Sequence, residues 1–200
     1  MKTVRVGHAS LLVEVDDVGS ASAVYAEARR RGIEATEIVP AARTVLFDEV
    51  RDLGALEAQI GSWDLSETES AAAELVEVPT TYDGEDLDEV ARLWQMTTAE
   101  VVSTHTGTEF VVAFCGFSPG FAYCTGLSPE HSVPRLDSPR TKVPAGSVGL
   151  AGEFTGIYPT ASPGGWQLIG RTDLVLWDEG ADQPATLPPG TRVRFVEVGP

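Results

Sequence analysis

Apolar positions along the first 78 residues change period repeatedly and predict the order β-α-β-β-α-β. Residues 9–15 alternate as a strand. A helix over 23–31, capped by Ser20 or Ser22, places Val24, Tyr25 and Ala28 on one side and Arg29, Arg30 and Arg31 at its C-terminal end, where the helix dipole favours cations; Gly32 fits the left-handed cap position. Strands follow at 34–39 and 44–47. Leu53, Leu56 and Ile60 recur at helical spacing before Gly61, and a strand at 74–78 closes the pattern. That order suits a small ferredoxin-like α+β domain over 1–78. Pro79 to Gly84 contains two strong chain breakers and reads as a linker, 79–84.

The second domain, 85–200, opens with two short helices. One carries Leu87, Val90, Ala91 and Trp94 on a single stripe; the other begins at the capping box Thr97-x-x-Glu100 and ends near 104. Beyond His105 the helical period disappears. Short β-type runs at 110–114, 143–150, 166–169, 174–177 and 192–198 imply a closed or nearly closed antiparallel barrel.

Charge and composition then narrow the function. The chain carries a net −16, which disfavours nucleic acid and anionic lipid surfaces. The charge is uneven: within 131–172, Arg135, Arg140, Lys142 and Arg171 face only Asp137 and Glu153. A cationic segment in an acidic chain is a candidate anion site, although ordinary surface pairing would explain the same charges. Two cysteines are too few for a disulfide framework, and no apolar run is long enough to span a bilayer, so a cytoplasmic location is expected. The segment 116–170 holds 10 of the 20 glycines and 7 of the 13 prolines, yet also Phe117, Phe121, Tyr123, Phe154, Tyr158 and Trp166. Aromatics among residues of restricted or unusual backbone geometry suggest ordered loops over a pocket.

Candidate chemistry is mostly excluded. Gly116-Phe117-Ser118-Pro119-Gly120 matches the Gly-x-Ser-x-Gly elbow of α/β-hydrolases, but the oxyanion hole there needs the N–H of the residue after serine, and Pro119 has none. Cys115 ends an apolar run and reads as a small hydrophobe rather than a nucleophile. His8, His105 and His131 lack metal-ligand spacing, and no phosphate-binding glycine loop is present. His105 is either a buried, backbone-bonded histidine or a proton-transfer group.

Four spaced motifs carry a family resemblance: Gly116-Phe-Ser-Pro-Gly-Phe-Ala-Tyr123, Pro139-Arg-Thr-Lys-Val-Pro-Ala-Gly-Ser-Val148, Ala151-Gly-Glu-Phe-Thr-Gly-Ile-Tyr-Pro159 and Ser162-Pro-Gly-Gly-Trp-Gln-Leu-Ile-Gly-Arg-Thr172. With them the chain resembles the allophanate hydrolase subunit 1 family, which includes the B subunit of bacterial 5-oxoprolinase and the Kip-type inhibitor of a sporulation histidine kinase. Ala122 departs from the family pattern, where proline is usual, and Cys115 and Cys124 stand where leucine is usual. The resemblance implies an α/β domain followed by a cyclophilin-like β-barrel. It also implies partners, the C subunit (allophanate hydrolase subunit 2 family) and the A subunit of 5-oxoprolinase, with ATP used by the assembled complex and no cofactor or metal held by this chain. The alternatives are kinase inhibition and a carboxyltransferase-type role in urea breakdown. Residues expected to bind a small anionic substrate are His105, Phe117, Phe121, Arg135, Arg140, Lys142, Tyr158 and Arg171, gathered at one open end of the barrel.

Overall fold

The computed structural model describes residues 1–65 and 75–199 and divides into two compact units, 1–73 and 74–200. In the first unit, β1 (Lys2–Val6) and β2 (Ser10–Glu14) form a hairpin, followed by α1 (Val18–Arg31), β3 (Glu37–Pro40), β4 (Thr44–Asp48) and α2 (Leu53–Ile60). The sheet order is β1-β2-β4-β3, with every pair antiparallel. Strict alternation on β2 and β4 buries Leu11, Val13, Val45 and Phe47 against Val24 and Ala28 of α1 and Leu56 and Ile60 of α2. Burying each such side chain contributes about 1.5–3 kcal/mol. Helix α1 begins five residues earlier than its sequence pattern predicts, because the Asp17 carboxylate rather than a serine caps it, accepting from the Ser20 N–H at 2.7 Å. Gly32 closes the helix at φ 62°.

The remaining elements are β5 (Leu75–Thr80), α3 (Leu87–Trp94), α4 (Thr98–Gly107), β6 (Phe110–Cys115), β7 (Ala122–Thr125), β8 (Arg140–Val143), β9 (Ser147–Ala151), β10 (Phe154–Ile157), β11 (Ser162–Gly164), β12 (Gln167–Arg171) and β13 (Arg192–Glu197). Seven strands form one sheet in the order β12-β9-β10-β7-β6-β13-β5. Its two ends meet. Thr81 and Arg171 exchange backbone hydrogen bonds of 2.9 and 2.8 Å, and the N–H groups of Gly84 and Asp86 donate to Ile169 and Leu168. The result is a nearly closed barrel. At this seam a Cβ on Gly84 would lie 2.3 Å from the Leu168 carbonyl oxygen, so only glycine allows the two chain segments to approach.

Two expectations are corrected. The strand expected to close the first domain, 74–78, is β5, and it pairs in parallel with β13, Leu75 opposite Arg192 through Thr80 opposite Glu197. The unit boundary therefore falls before this strand rather than at 79–84, and the barrel contains one parallel pair rather than being wholly antiparallel. Pro79 is accommodated because β5 is the terminal strand of the sheet and has a ladder on one side only. Among the described residues, no helix is long and apolar enough to cross a membrane.

Alternation along the barrel strands sorts the apolar side chains into two clusters. Cys124 of β7, Val148 and Leu150 of β9, Ile157 of β10 and Ile169 of β12 join the barrel core with Val90, Trp94, Phe110 and Phe195. Phe121, Ala151, Tyr158 and Leu168, the sequence neighbours of the core residues Ala122, Leu150, Ile157 and Ile169, join Trp166 and Val143 in a separate cluster. Successive strand residues point to opposite faces, so the second cluster occupies the opposite face of the sheet from the core. The β8–β11 ribbon supplies Val143 to it.

Candidate functional site

The aromatic cluster opens into a shallow cleft of about 70 Å³ lined by Phe117, Phe121, Tyr123, Arg135, Tyr158, Trp166 and the run Pro163-Gly164-Gly165. Its rings meet edge to face: Phe121 and Tyr158 at 5.2 Å and 88°, Phe121 and Trp166 at 5.3 Å and 85°. A Cβ on Gly164 would sit 2.3 Å from the Tyr158 hydroxyl oxygen, so glycine at 164 is a condition of the wall's shape.

The tight loop between β6 and β7 builds one lip. Gly116 N–H donates to Phe121 O and Phe121 N–H to Ser118 O, at 3.1 and 3.0 Å. Inside this turn Phe117 adopts φ 68°, a left-handed conformation that is an outlier for a bulky side chain, and its ring is 61% exposed at the cleft edge. The strained backbone carries the ring to the cleft edge, where it meets Phe121 and Tyr158 edge to face while most of its surface faces solvent, the placement of a residue that serves the cleft.

The opposite lip is Arg135. The chain around it is pinned on both sides: Val133 exchanges hydrogen bonds with Gly152, Leu136 N–H donates to Gly165 O at 2.8 Å, and Gln167 Nε2 donates to Pro134 O. In the barrel unit Arg92, Arg140, Arg171, Arg192 and Arg194 all have carboxylate partners. Among the described residues, Arg135 and Lys142 have none, and of these two only Arg135 lines the cleft. Burial raises the hydroxyls of Tyr123 and Tyr158 there, and the Arg135 charge opposes part of that rise.

Of the eight residues expected to bind substrate, the structure therefore gathers Phe117, Phe121, Arg135 and Tyr158 and places the other four elsewhere. It does so on the outer face of the sheet, not at a barrel mouth. Arg140 is turned away to a buried carboxylate: its Nη2 lies 2.7 Å from both oxygens of Asp86, its Nε 2.9 Å from Glu85, and its Nη1 donates to the Trp166 carbonyl. Arg171 pairs with Asp83 at 2.9 Å and borders a different hollow, about 290 Å³, at the barrel seam with Thr81, Asp173 and Val198. That hollow is larger, but its cation is already neutralised. Lys142 is exposed on β8 and is not part of the cleft.

His105 is corrected most sharply. It belongs to the last turn of α4 and is fully buried. Thr155 donates to Gly149 O, so its hydroxyl oxygen accepts from His105 Nε2–H at 2.9 Å; Nδ1 then accepts from the Tyr82 hydroxyl at 2.7 Å. A neutral imidazole satisfies the whole chain of bonds, and burial pushes its pKa down to about 3. Burial likewise raises the thiol of Cys115 to about 11 and that of Cys124 further, so neither is an activated nucleophile. Tyr123, Trp166 and the Pro163-Gly164-Gly165 wall were missed as site residues. The signal that locates them is the alternation that sends Tyr123 and Trp166 to the face opposite Cys124 and Ile169.

Comparison with known proteins agrees with this architecture. The family profile described as carboxyltransferase domain, subdomain C and D, matches residues 1–187. The chain is 44% identical over 138 residues to the 5-oxoprolinase B subunit of Bacillus subtilis (strain 168), covering 68% of this chain and 58% of that protein. It is 45% identical over 147 residues to the 5-oxoprolinase B subunit of Escherichia coli O157:H7, covering 72% of this chain and 67% of that protein. The chain thus spans about six tenths of the length of these curated relatives. The crystal structure of TTHA0988 superposes with a TM-score of 0.79 at 31% identity over 96% of this chain and 40% of that one. The match extends across both units and almost the full sequence: this chain belongs to the carboxyltransferase domain family, subdomains C and D.

Proposed function

We propose that this chain is the B-type component of a 5-oxoprolinase, an ATP-dependent hydrolase that opens 5-oxo-L-proline to L-glutamate, and that it acts only with its A-type and C-type partners. The observation that carries the reading is the 44–45% identity to proteins named as the B subunit of 5-oxoprolinase over some seven tenths of this chain. The site supports it. A lactam is a poor electrophile, and its hydrolysis with ATP requires a phosphoryl group on the ring oxygen before water attacks, the C–N bond breaks and phosphate leaves. The described residues offer neither an activated thiol nor a histidine able to take a proton near neutral pH from the cleft, since His105 is buried and fully bonded. What the chain does offer is a recognition cleft with a free cation, Arg135, for a small anionic substrate. The activating chemistry and the ATP site belong to the partners, and the chain itself holds no cofactor. Matches to urea amidolyases are weaker, 34% over 36% of this chain for the Saccharomyces cerevisiae protein, and do not favour the urea-breakdown alternative.

The test is reconstitution. Mixed with its cognate A-type and C-type partners, ATP and 5-oxo-L-proline, the protein yields glutamate, and omitting any one of the three proteins abolishes it. Turnover by this chain alone, or an inactive three-protein mixture, overturns the proposal.

A further inference from the structure

Among the described residues, the cleft presents one guanidinium without a carboxylate partner, flat apolar walls, and the hydroxyls of Tyr123 and Tyr158. The Tyr158 hydroxyl lies at the cleft wall beside Gly164, and burial keeps it protonated, so its O–H can donate to an acceptor in the cleft. Phe117, Phe121 and Trp166 supply faces and edges for a small ring. Among the described residues no aspartate or glutamate lines the cleft, so none of them matches an ammonium group there, and the guanidinium of Arg135 matches one carboxylate.

We infer that this cleft is a selective site for a cyclic lactam carboxylate, with Arg135 binding the carboxylate, Tyr158 donating to the ring carbonyl and Phe117 closing over the ring, and that it rejects the ring-opened product. The inference rests on the function proposed above and adds to it where the substrate sits and why product leaves. The lactam nitrogen is uncharged and enters apolar surroundings at little cost. Opening the ring creates an ammonium and a second carboxylate, both of which would be buried without a partner. A site of this design discriminates by what it fails to satisfy, the stronger of the two ways a pocket achieves specificity. The backbone that carries Arg135 is pinned by the bonds at Val133 and Leu136, which leaves only the side chain to be ordered on binding.

Calorimetric titration of the full chain tests the site directly with four probes: 5-oxo-L-proline, cyclopentanecarboxylate, L-proline and L-glutamate. The expected order places 5-oxo-L-proline first, with L-proline and L-glutamate weaker by roughly tenfold or more. Arg135→Gln, a change at an exposed position that leaves the fold intact, weakens 5-oxo-L-proline by roughly 10–100-fold. Tyr158→Phe removes the preference for 5-oxo-L-proline over cyclopentanecarboxylate. Absence of binding by the unmodified chain, unchanged affinity in Arg135→Gln, or equal affinity for L-glutamate overturns the inference. In the assembled complex Arg135→Gln raises the KM for 5-oxo-L-proline and leaves that for ATP unchanged. A complex that turns over with both KM values unaltered removes the site but keeps the function. Selective binding by a chain whose complex never hydrolyses 5-oxo-L-proline does the reverse.

Discussion

At the scale of single residues, side chains with unusual surroundings separate into those that hold the barrel and those that serve the cleft. His105 belongs to the first kind. Its native pKa lies near 3, against about 6.5 for an unfolded chain, so on acidification the unfolded state takes up a proton that the native state refuses. The stabilisation is complete above about pH 6.5 and is lost as pH falls towards 3. Urea denaturation should show the unfolding free energy dropping by roughly 2 kcal/mol between pH 7 and pH 5 from this group. His105→Gln, though less stable at pH 7, should show a flatter dependence; an unchanged slope would refute the assignment. Phe117 is of the second kind. Relief of its left-handed strain, worth about 1–3 kcal/mol, opposes loss of edge contacts with Phe121 and Tyr158 of about 0.5–1.5 kcal/mol each. Phe117→Gly should therefore melt close to the parent while the KM for the anionic substrate rises. A large fall in Tm with KM unchanged would make Phe117 a packing residue. The sequence marks Phe117 only by its setting among glycine and proline, and it cannot display the sign of φ; the capping box at Thr97 and Glu100 was legible because its two partners are three residues apart.

Elements were legible where their stabilising contacts are local and obscure where those contacts come from afar. Helices α2 and α4 follow from caps and apolar spacing. Strands β7, β10 and β11 are three or four residues long, and the ladder partners that define them cannot be read from so short a period. Arg140 shows the same limit for a side chain. Its partner Asp86 is 54 residues away, so a cation read as available to substrate is in fact spent on the N-terminal edge of α3. Asp86 also accepts from Leu168 N–H at 2.6 Å and donates its own N–H to the Leu168 carbonyl, tying α3 to β12 beside the cleft wall. Removing one member of this largely buried pair strands the other, so Arg140→Ala should cost about 3 kcal/mol. Asp86→Ala should cost more, because it also leaves the Leu168 N–H unpaired. In a double-mutant cycle by urea denaturation the two changes should couple by at least about 1 kcal/mol. Additive effects would mean that the ion pair is incidental.

For the molecule as a whole, the decisive misreading concerned β5. Residues 75–80 carry the alternating pattern of any half-buried strand, and that pattern names neither its partner nor its unit. Position in the chain suggested the first domain, whereas Leu75–Thr80 runs alongside β13 and the segment after it, through Thr81, Gly84 and Asp86, zips against β12. The barrel is thus closed by the stretch that the sequence presents as a linker, where proline and glycine mark the close approach at the seam rather than flexibility. The aromatic loops over the strands were foreseeable; closure was not, because it depends on contacts such as that between Thr81 and Arg171, far apart in the chain. This makes a prediction about autonomy. A fragment starting at Glu74 contains the complete sheet and both layers of apolar side chains, and it should fold cooperatively with the near-ultraviolet signature of Trp94 and Trp166 intact. A fragment starting at Glu85 removes β5, strips β13 of one ladder and deprives β12 of the Thr81 and Gly84 bonds. It should lose cooperative unfolding and expose apolar surface to a dye such as ANS, as loosely packed states do. Cooperative folding of this shorter fragment would show that the barrel needs neither the parallel strand nor the seam, and would restore 79–84 as a true boundary.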